Sequence, residues 1–203
     1  RSRALIYPLM LFLTAETVIQ IALPDLHVTW LCVTLLSVLY FTYCSEMWHQ
    51  LDALTGLLNQ NSYLNRTAEM SRSGGLLIVF DVDNFKQVND CYGHLQGDAC
   101  LAAIAACLKK AYACCGYCYR IGGDEFCVLL KSTAKEAACA EEFLRQLEKK
   151  RRELTFLPTV SCGSAPLSGE DVVAVKDQAD RAMYHHKKAR KERAAAKQPQ
   201  MTI

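Results

Sequence analysis

The sequence has almost no net charge, because its 23 lysines and arginines nearly balance its 21 aspartates and glutamates. Domains that bind nucleic acid usually carry an excess of basic residues, so we expect no nucleic acid partner.

The sequence also lacks the two ligand pairs that a zinc site usually needs. Cys115 and Cys118 have the C-x-x-C spacing, with Cys114 beside them, but no other pair stands at a spacing typical of zinc sites. The eleven cysteines are therefore predicted to be free, reduced thiols of a cytosolic domain.

Charge is absent as well from one long apolar stretch, residues 28–44. A second stretch, residues 4–23, is largely apolar but includes Pro8 and Glu16. A helix that crosses a membrane needs roughly 20 apolar residues, with about 17 as a lower limit. We therefore predict that residues 1–44 form a membrane segment with two transmembrane helices over these stretches. The alternative is a buried helical hairpin in a soluble protein, and a cleaved signal peptide fits poorly because no small-x-small site separates the two stretches.

The remaining chain is predicted to contain a linker helix (45–51), one compact domain (52–193) and a disordered tail (194–203). Within the domain, short apolar runs alternate with amphipathic ones. The predicted strands are 76–80, 117–121, 126–130 and 159–165. The predicted helices are 54–70, 84–92, 98–113, 134–152 and 171–193. Strands interleaved with helices indicate an α/β fold, and a hairpin among them indicates a mixed sheet.

Two acidic clusters stand beside predicted strands. Residues 81–83 (DVD) follow the first strand, and residues 124–125 (DE) lie in the tip of the predicted hairpin. If the two strands pair, these carboxylates converge, and carboxylates are the ligands that Mg²⁺ prefers. Gly122 and Gly123 would let the backbone approach a phosphate closely. Each cluster alone is more typical of an ordinary acidic turn than of a metal site.

Five segments carry a longer pattern that includes both clusters. In chain order they are Asp52–Asn59 (DALTGLLN), Phe80–Lys86 (FDVDNFK), Asn89–Asp98 (NDCYGHLQGD), Arg120–Phe126 (RIGGDEF) and Ala179–Lys187 (ADRAMYHHK). Together, and in this order, they resemble the motifs of the GGDEF family of diguanylate cyclases over about residues 52–191. Five matching segments in one order make a chance resemblance untenable.

The resemblance implies a fold like that of adenylyl cyclase and polymerase palm domains, an α/β domain with a central mixed sheet wrapped by helices. We expect it to be preceded by the two transmembrane helices. The implied activity condenses two GTP molecules into cyclic di-GMP and two pyrophosphates, by Mg²⁺-assisted attack of a 3′-hydroxyl on an α-phosphate. Because one domain holds one GTP, the active form would be a homodimer. The expected location is the inner membrane, as a multi-pass protein with the GGDEF domain in the cytoplasm.

The resemblance also implies roles for individual residues. Asp81, the Val82 carbonyl and Asp124 match the metal ligands, with Mg²⁺ as the expected ion and Mn²⁺ as its alternative. Asp124, Glu125 and Lys86 are the predicted catalytic residues. Asn89 and Asp98 match the positions that recognise the guanine edge, and a carboxylate there favours GTP over ATP. The other predicted substrate-binding residues are Phe85, His94, Gly122, Gly123, Lys187 and Lys191.

The sequence departs from the family pattern at three places. Residues 113–116 (ACCG) lack both charges of the R-x-x-D inhibitory site, so we expect no product inhibition there. Lys191 replaces an arginine, which keeps the charge but loses a two-pronged contact, and Gln60 replaces another arginine outside the reaction centre. The alternative function is a catalytically silent GGDEF module that binds GTP or serves as a membrane signalling scaffold.

Overall fold

The computed structural model describes residues 11, 14–15, 17–19, 21–22, 29–48, 50–169 and 171–196. The chain divides into two compact units, Arg1–His49 and Gln50–Ile203. The main element of the first unit is helix α1 (Thr29–Trp48). The described residues between 11 and 22 are also helical, and their side chains are exposed.

The prediction of two transmembrane helices is wrong. Across the described ranges, no helix combines the length and the apolar character needed to cross a membrane. Helix α1 is 20 residues long, but hydroxyl side chains, including Thr34, Ser37 and Thr42, lower its hydropathy. These hydroxyls donate to main-chain carbonyls three or four residues earlier. Most of the first predicted span lies outside the described residues. The inner-membrane location, which depended on these spans, stays a prediction.

The second unit is an α/β domain. After α1 its elements are α2 (Gln60–Ser73), β1 (Gly75–Val82), α3 (Phe85–Tyr92), α4 (His94–Tyr112), β2 (Gly116–Arg120), β3 (Glu125–Leu130), a 3₁₀ turn (Thr133–Lys135), α5 (Glu136–Glu153), β4 (Val160–Leu167) and α6 (Val172–Ala196). The predicted strands and most predicted helices are confirmed. The first helix of the domain, predicted from residue 54, begins at Gln60 instead, because Asn59 caps it by accepting from the Ser62 amide at 3.0 Å.

The four strands form one sheet in the order β2-β3-β1-β4. All three strand pairs are antiparallel. Parallel pairing in the described chain is limited to a single bridge between Leu58 and Tyr119. The sheet that the sequence predicts to be mixed is therefore antiparallel in all its named strands.

Alternate residues of β1 and β3 face two separate cores, as the twofold repeat of a strand requires. Ile78, Phe80 and Val82 pack with α4 and α5 on one face. Leu77 and Val79 pack with α2 and α6 on the other. Asp81 and Asp83 continue this second set, so the alternation directs both carboxylates towards the α6 face.

Helix α6 lies unusually close to β4. A Cβ atom added at Gly163 would lie 2.2 Å from the Met183 nitrogen and 2.3 Å from the Ala179 carbonyl oxygen. Only glycine leaves room for this approach. Since Lys187 follows Met183 by one helical turn, this contact determines where Lys187 meets the end of β1.

The end of α6 differs from the sequence prediction. The helix continues to Ala196, into the segment that was predicted to be disordered. Residues 197–203 of that segment lie outside the described residues. The assignment of 45–51 as a separate linker stays a prediction, although α1 includes residues as far as Trp48.

Candidate active site

The end of β1 lies beside the start of β3. Asp81 is opposite Glu125 on β3 and opposite Ser161 on β4. Residues that are directly opposite on neighbouring strands share a face, so these three side chains form a row on the α6 face. Beyond the row, the Val82 amide donates to the Asp124 carbonyl at 3.2 Å. The two acidic clusters of the sequence therefore adjoin, as predicted.

Lys187 of α6 forms an ion pair at the end of β1. Its ammonium group donates a hydrogen bond to Asp81 and lies 3.6 Å from an Asp83 oxygen. Burial lowers the pKa of Lys187, but the hydrogen bond and charge of Asp81, together with the charge of Asp83, outweigh burial and raise the pKa above its ordinary value. Lys187 is therefore a cation at neutral pH.

Asp83 has a different environment from Asp81. It is buried, and it accepts from the Thr159 hydroxyl at 2.7 Å and from the Ser161 hydroxyl at 2.9 Å. Its amide also donates to the Thr159 carbonyl at 2.8 Å. These bonds join the end of β1 to β4 and the residue before it, so Asp83 stabilises the position of the site.

Arg120 joins the signature hairpin to the start of the domain. Its guanidinium donates to both Asp52 oxygens, at 3.1 and 3.3 Å, and to the Gly123 carbonyl at 2.8 Å. Asp52 also accepts from the Thr55 hydroxyl at 2.6 Å and from its amide at 2.9 Å. Burial raises the pKa of Asp52, but the hydrogen bonds from Thr55 and Arg120 outweigh it and hold the pKa below its ordinary value.

The glycines of the hairpin tip serve different purposes. A Cβ at Gly122 would lie 3.2 Å from a Glu125 carboxylate oxygen, whereas a Cβ at Gly123 would meet nothing within 4 Å. Neither glycine has a positive φ. Gly122 therefore makes room for Glu125, and Gly123 leaves the tip open to an approaching group.

A second group of predicted residues lies at the junction of α3 and α4. Asn84 begins α3 with a left-handed φ of 55°, a conformation that asparagine tolerates better than most residues. A Cβ at Gly97 would lie 1.9 Å from the Asn89 side-chain oxygen and 3.2 Å from the Phe85 ring. Glycine at this position leaves room for the Asn89 side chain, which packs against Gly97, the residue before Asp98.

The other predicted residues of this group, one catalytic and two substrate-binding, are exposed. They are Lys86 in the first turn of α3, and His94 and Asp98 near the start of α4. Lys191 lies four residues beyond Lys187 on α6, where residues share a helical face, but its side chain is outside the described residues. The roles assigned to these residues stay predictions.

The donor set around Asp81 can be tested for its fit to a metal ion. The structure, as far as it is described, contains no group of three or more His, Cys, Asp or Glu side chains able to hold a metal ion. Asp81, Asp124 and the Val82 carbonyl supply oxygen atoms only. Mg²⁺ usually binds to one or two carboxylates together with substrate phosphates, so this set fits Mg²⁺. In the structure, the Lys187 ammonium group forms an ion pair with one Asp81 oxygen.

Sequence reasoning missed three contacts of the site: Lys187 with Asp81, Arg120 with Asp52, and Asp83 with its two hydroxyl donors. The first two join opposite charges from different motif segments, and that complementarity was a usable signal. Thr159 and Ser161 belong to no quoted motif, so no signal in the sequence indicated them.

Comparison with protein families agrees with this geometry. The family described as "Diguanylate cyclase, GGDEF domain" matches residues 49–193, which is more than half of the chain. The chain belongs to the GGDEF family. The matched region contains the complete sheet, the hairpin and Lys187.

GGDEF relatives carry different functional names. Diguanylate cyclase DgcP of Pseudomonas aeruginosa is 38% identical over 160 residues, which cover 70% of this chain and 23% of DgcP. Cyclic di-GMP phosphodiesterase PdeR of Escherichia coli is 36% identical over 149 residues, which cover 66% of this chain and 22% of PdeR. The chain thus spans about a quarter of the length of these relatives.

A solved GGDEF structure has the same fold. The coiled coil and GGDEF domain of DgcB from Caulobacter crescentus, crystallised in complex with c-di-GMP, superposes with a TM-score of 0.66. The two chains are 25% identical, and the match covers 78% of this chain and 93% of the DgcB chain.

Proposed function

We propose that this GGDEF domain is a diguanylate cyclase that condenses two GTP molecules into cyclic di-GMP. The observation that carries the proposal is the contact between the two acidic clusters, in which the Val82 amide binds the Asp124 carbonyl beside Asp81. It brings together two carboxylates and an open hairpin tip, which is the arrangement that a triphosphate requires. The DgcP relative and the c-di-GMP complex of DgcB support the same product.

The reaction consists of two equivalent transfers. In each, a 3′-oxygen of one GTP forms a bond to the α-phosphorus of the other, and the bond from that phosphorus to the pyrophosphate oxygen breaks. The hydroxyl proton passes to a base, and the Asp124 and Glu125 carboxylates at the tip are the candidates. Two transfers yield cyclic di-GMP and two pyrophosphates.

The same residues would hold the metal ion. Asp81, Asp124 and the Val82 carbonyl would bind Mg²⁺, which neutralises phosphate charge when it is bound. Lys187 is a cation at neutral pH, and phosphate oxygens can replace Asp81 as its partner. Lys86 in the first turn of α3 is a second cation for the charge that builds on the phosphates during transfer.

Selection of guanine would depend on the junction of α3 and α4. Asn89 packs against Gly97, the residue before Asp98. A carboxylate accepts from the N1–H and exocyclic amine of guanine, and adenine has no such pair of donors. An unpaired carboxylate therefore makes the wrong base costly, by about 1–3 kcal/mol for a desolvated group.

Catalysis would need two copies of the chain. One hairpin tip can present one α-phosphate, while each transfer joins two nucleotides. A twofold dimer brings two identical sites face to face. We propose this dimer as the active form.

A second candidate is a GGDEF module that binds GTP without converting it. The relative of similar identity that is named a phosphodiesterase favours this alternative. So does the ion pair of Lys187 with Asp81, since a metal ion and the ammonium group would compete for the same carboxylate. Both candidates use the same residues, and only product formation distinguishes them.

The test incubates the purified chain with GTP and Mg²⁺ and measures cyclic di-GMP by chromatography, with GTP binding measured separately by calorimetry. We expect Asp124→Asn to lower the rate by about 100-fold or more. The matched control is Asp177→Asn, which changes an exposed aspartate of α6 and should leave the rate unchanged. Binding without product would favour the silent module, and full activity of Asp124→Asn would refute the assignment of the site.

A further inference from the structure

Three thiols meet at the base of the signature hairpin, at the end of β2 that is farther from the tip. The Cys115 and Cys139 sulfurs are 2.9 Å apart, although the two residues are 24 positions apart in the chain. The Cys114 sulfur is 3.6 Å from that of Cys115. All three are free thiols. This cluster takes no part in the proposed cyclase reaction.

The Cys115–Cys139 separation is close to that of a covalent pair. It is about 0.9 Å longer than a disulfide bond of about 2.05 Å. The main chain holds Cys115 in place, because its amide donates to the Tyr112 carbonyl at 3.0 Å and its carbonyl accepts from the Lys131 amide at 3.4 Å. Cys139 is fixed in helix α5 and is buried. A bond between these sulfurs therefore requires only a small movement of side chains.

The three thiols differ in their exposure to solvent. Cys114 is exposed, Cys115 is half-buried and Cys139 is buried. Burial, with the hydrogen bonds to Cys139 and Cys114, raises the pKa of Cys115 to about 12. Since thiolates are the attacking species in thiol–disulfide exchange, the exposed Cys114 is the thiol that an external oxidant meets first.

We propose that Cys115 and Cys139 form a reversible redox modification site, which a small disulfide such as glutathione disulfide oxidises through Cys114. The site converts two neighbouring thiols into one disulfide that joins the start of β2 to α5. Disulfides are rare in proteins of reducing compartments, and those that occur are usually transient and either catalytic or redox-sensing.

Oxidation by glutathione disulfide proceeds through three thiol–disulfide exchange steps. The Cys114 sulfur attacks glutathione disulfide and releases one glutathione thiol. Cys115 then displaces the second glutathione from Cys114. Cys139 finally attacks the Cys115 sulfur, and Cys114 returns to its thiol form. Each attacking thiol gives its proton to the departing thiolate, so two protein thiols are oxidised and one glutathione disulfide is reduced to two thiols.

The bond would enclose the functional hairpin. The loop between Cys115 and Cys139 contains β2, the tip and β3. A covalent link across such a loop restricts the unfolded chain more than the folded one. The oxidised protein should therefore melt at a higher temperature than the reduced protein, by about 5 °C or more.

The experiment equilibrates the reduced full chain with mixtures of glutathione and glutathione disulfide under native conditions. Remaining thiols are alkylated at low pH, and the peptides are mapped by mass spectrometry. We expect a peptide that links Cys115 to Cys139, a melting temperature that rises with oxidation, and full reversal by dithiothreitol. The same incubation in urea should yield no preference for this pair.

Three serine variants separate the roles of the thiols. Cys139→Ser should abolish the link to α5 and stop the exchange at the second step, with Cys114 and Cys115 joined to each other. Cys114→Ser should slow oxidation by about tenfold without lowering its final extent. The matched control is Cys91→Ser, which changes an exposed cysteine of α3 and should oxidise as the unmodified chain does.

Three outcomes would overturn the proposal. One is that Cys115 and Cys139 both remain thiols in excess glutathione disulfide, so that both are found alkylated. Another is that the link forms only in urea. The third is that, in the unmodified chain, Cys114 and Cys115 pair with each other as the final product. The comparison of native and unfolded wild-type chain decides the matter even if Cys139→Ser fails to fold.

Discussion

Strand β1 has a neighbour on each side, and the acids on the two sides have different surroundings. On the β3 side, no hydrogen bond or ion pair from any residue that the structure describes reaches the carboxylates of Asp124 and Glu125. On the β4 side, Asp83 accepts from two hydroxyls and lies 3.6 Å from the Lys187 ammonium. One side presents carboxylates with no hydrogen bond or ion pair in the described structure, although the charge of Glu125 helps to raise the pKa of Lys176. The other side presents a carboxylate whose oxygens have partners.

This difference separates reactive acids from structural ones. A buried carboxylate costs free energy unless its oxygens have partners, so Asp83 and its donors stabilise the fold as a unit. Free carboxylates at an open tip contribute little to the fold and remain available to a metal ion or a proton. Asp81 lies between these cases, because Lys187, the cation that binds it in the described part of the chain, also fits a phosphate.

The largest effect on stability is expected from Asp83→Ala. The change leaves the hydroxyls of Thr159 and Ser161 without their acceptor and removes one of the charges that face Lys187. Hydrogen bonds to charged groups contribute about 1.5–3 kcal/mol each, so the free energy of unfolding should fall by about 3 kcal/mol. Urea denaturation monitored by circular dichroism measures this loss.

Asp124→Ala is the matched variant on the other side of β1. Because no partner loses a bond, its free energy of unfolding should change by no more than about 0.5 kcal/mol. Equal losses in Asp83→Ala and Asp124→Ala would remove the distinction between the two sides.

The next largest effect is expected from Gly163→Ala on the β4 side. Its added methyl group would lie 2.2 Å from the Met183 nitrogen, which is main chain and cannot rotate away. Helix α6 must therefore shift, and overpacking of this kind costs about 2 kcal/mol. The same denaturation experiment measures the loss.

Gly123→Ala supplies the comparison on the hairpin side. A Cβ there meets nothing within 4 Å, and the residue does not have a positive φ. Its stability should stay within about 0.5 kcal/mol of the original. If Gly163→Ala were equally neutral, the close approach of α6 to β4 would be disproved.

The sequence predicted the parts of the domain that depend on local pattern. The short apolar run from Leu76 to Phe80 predicted a buried strand, and the structure confirms it. The hairpin was predicted because Gly122 and Gly123 separate two apolar runs. The convergence of the acidic clusters followed from the assumption that β1 and β3 pair, which the register confirms.

The missed features depend on distance in three dimensions. Nothing local to Gly163 indicates that α6 would lie against it, and nothing local to Thr159 indicates an aspartate 76 positions earlier. Helix α1 illustrates the opposite error. A count of uncharged residues suggested a membrane span, but the count ignored the hydroxyl groups that lower the mean hydropathy of the helix.

The smallest of the three expected losses is that of Asp52→Asn, which tests whether Asp52 stabilises the hairpin side, whose own acids contribute little to stability. Arg120 bridges the Asp52 carboxylate and the Gly123 carbonyl. Asparagine keeps one acceptor oxygen but loses the charge, so the free energy of unfolding at pH 7 should fall by about 1 kcal/mol or less. Urea denaturation of both proteins at a series of pH values measures the difference.

The direction of the pH dependence follows from the pKa of Asp52. Its folded-state pKa is below the ordinary value of 3.8, so its contribution is complete above that value and is lost as pH falls through the folded-state pKa. The difference between the original chain and Asp52→Asn should therefore be constant from pH 7 to about pH 5 and shrink below pH 3.8. Asp177→Asn, at an exposed position, should show no such change. A difference that stayed constant into acid would mean that the Asp52 charge does not stabilise the hairpin side, which would then depend on backbone pairing alone.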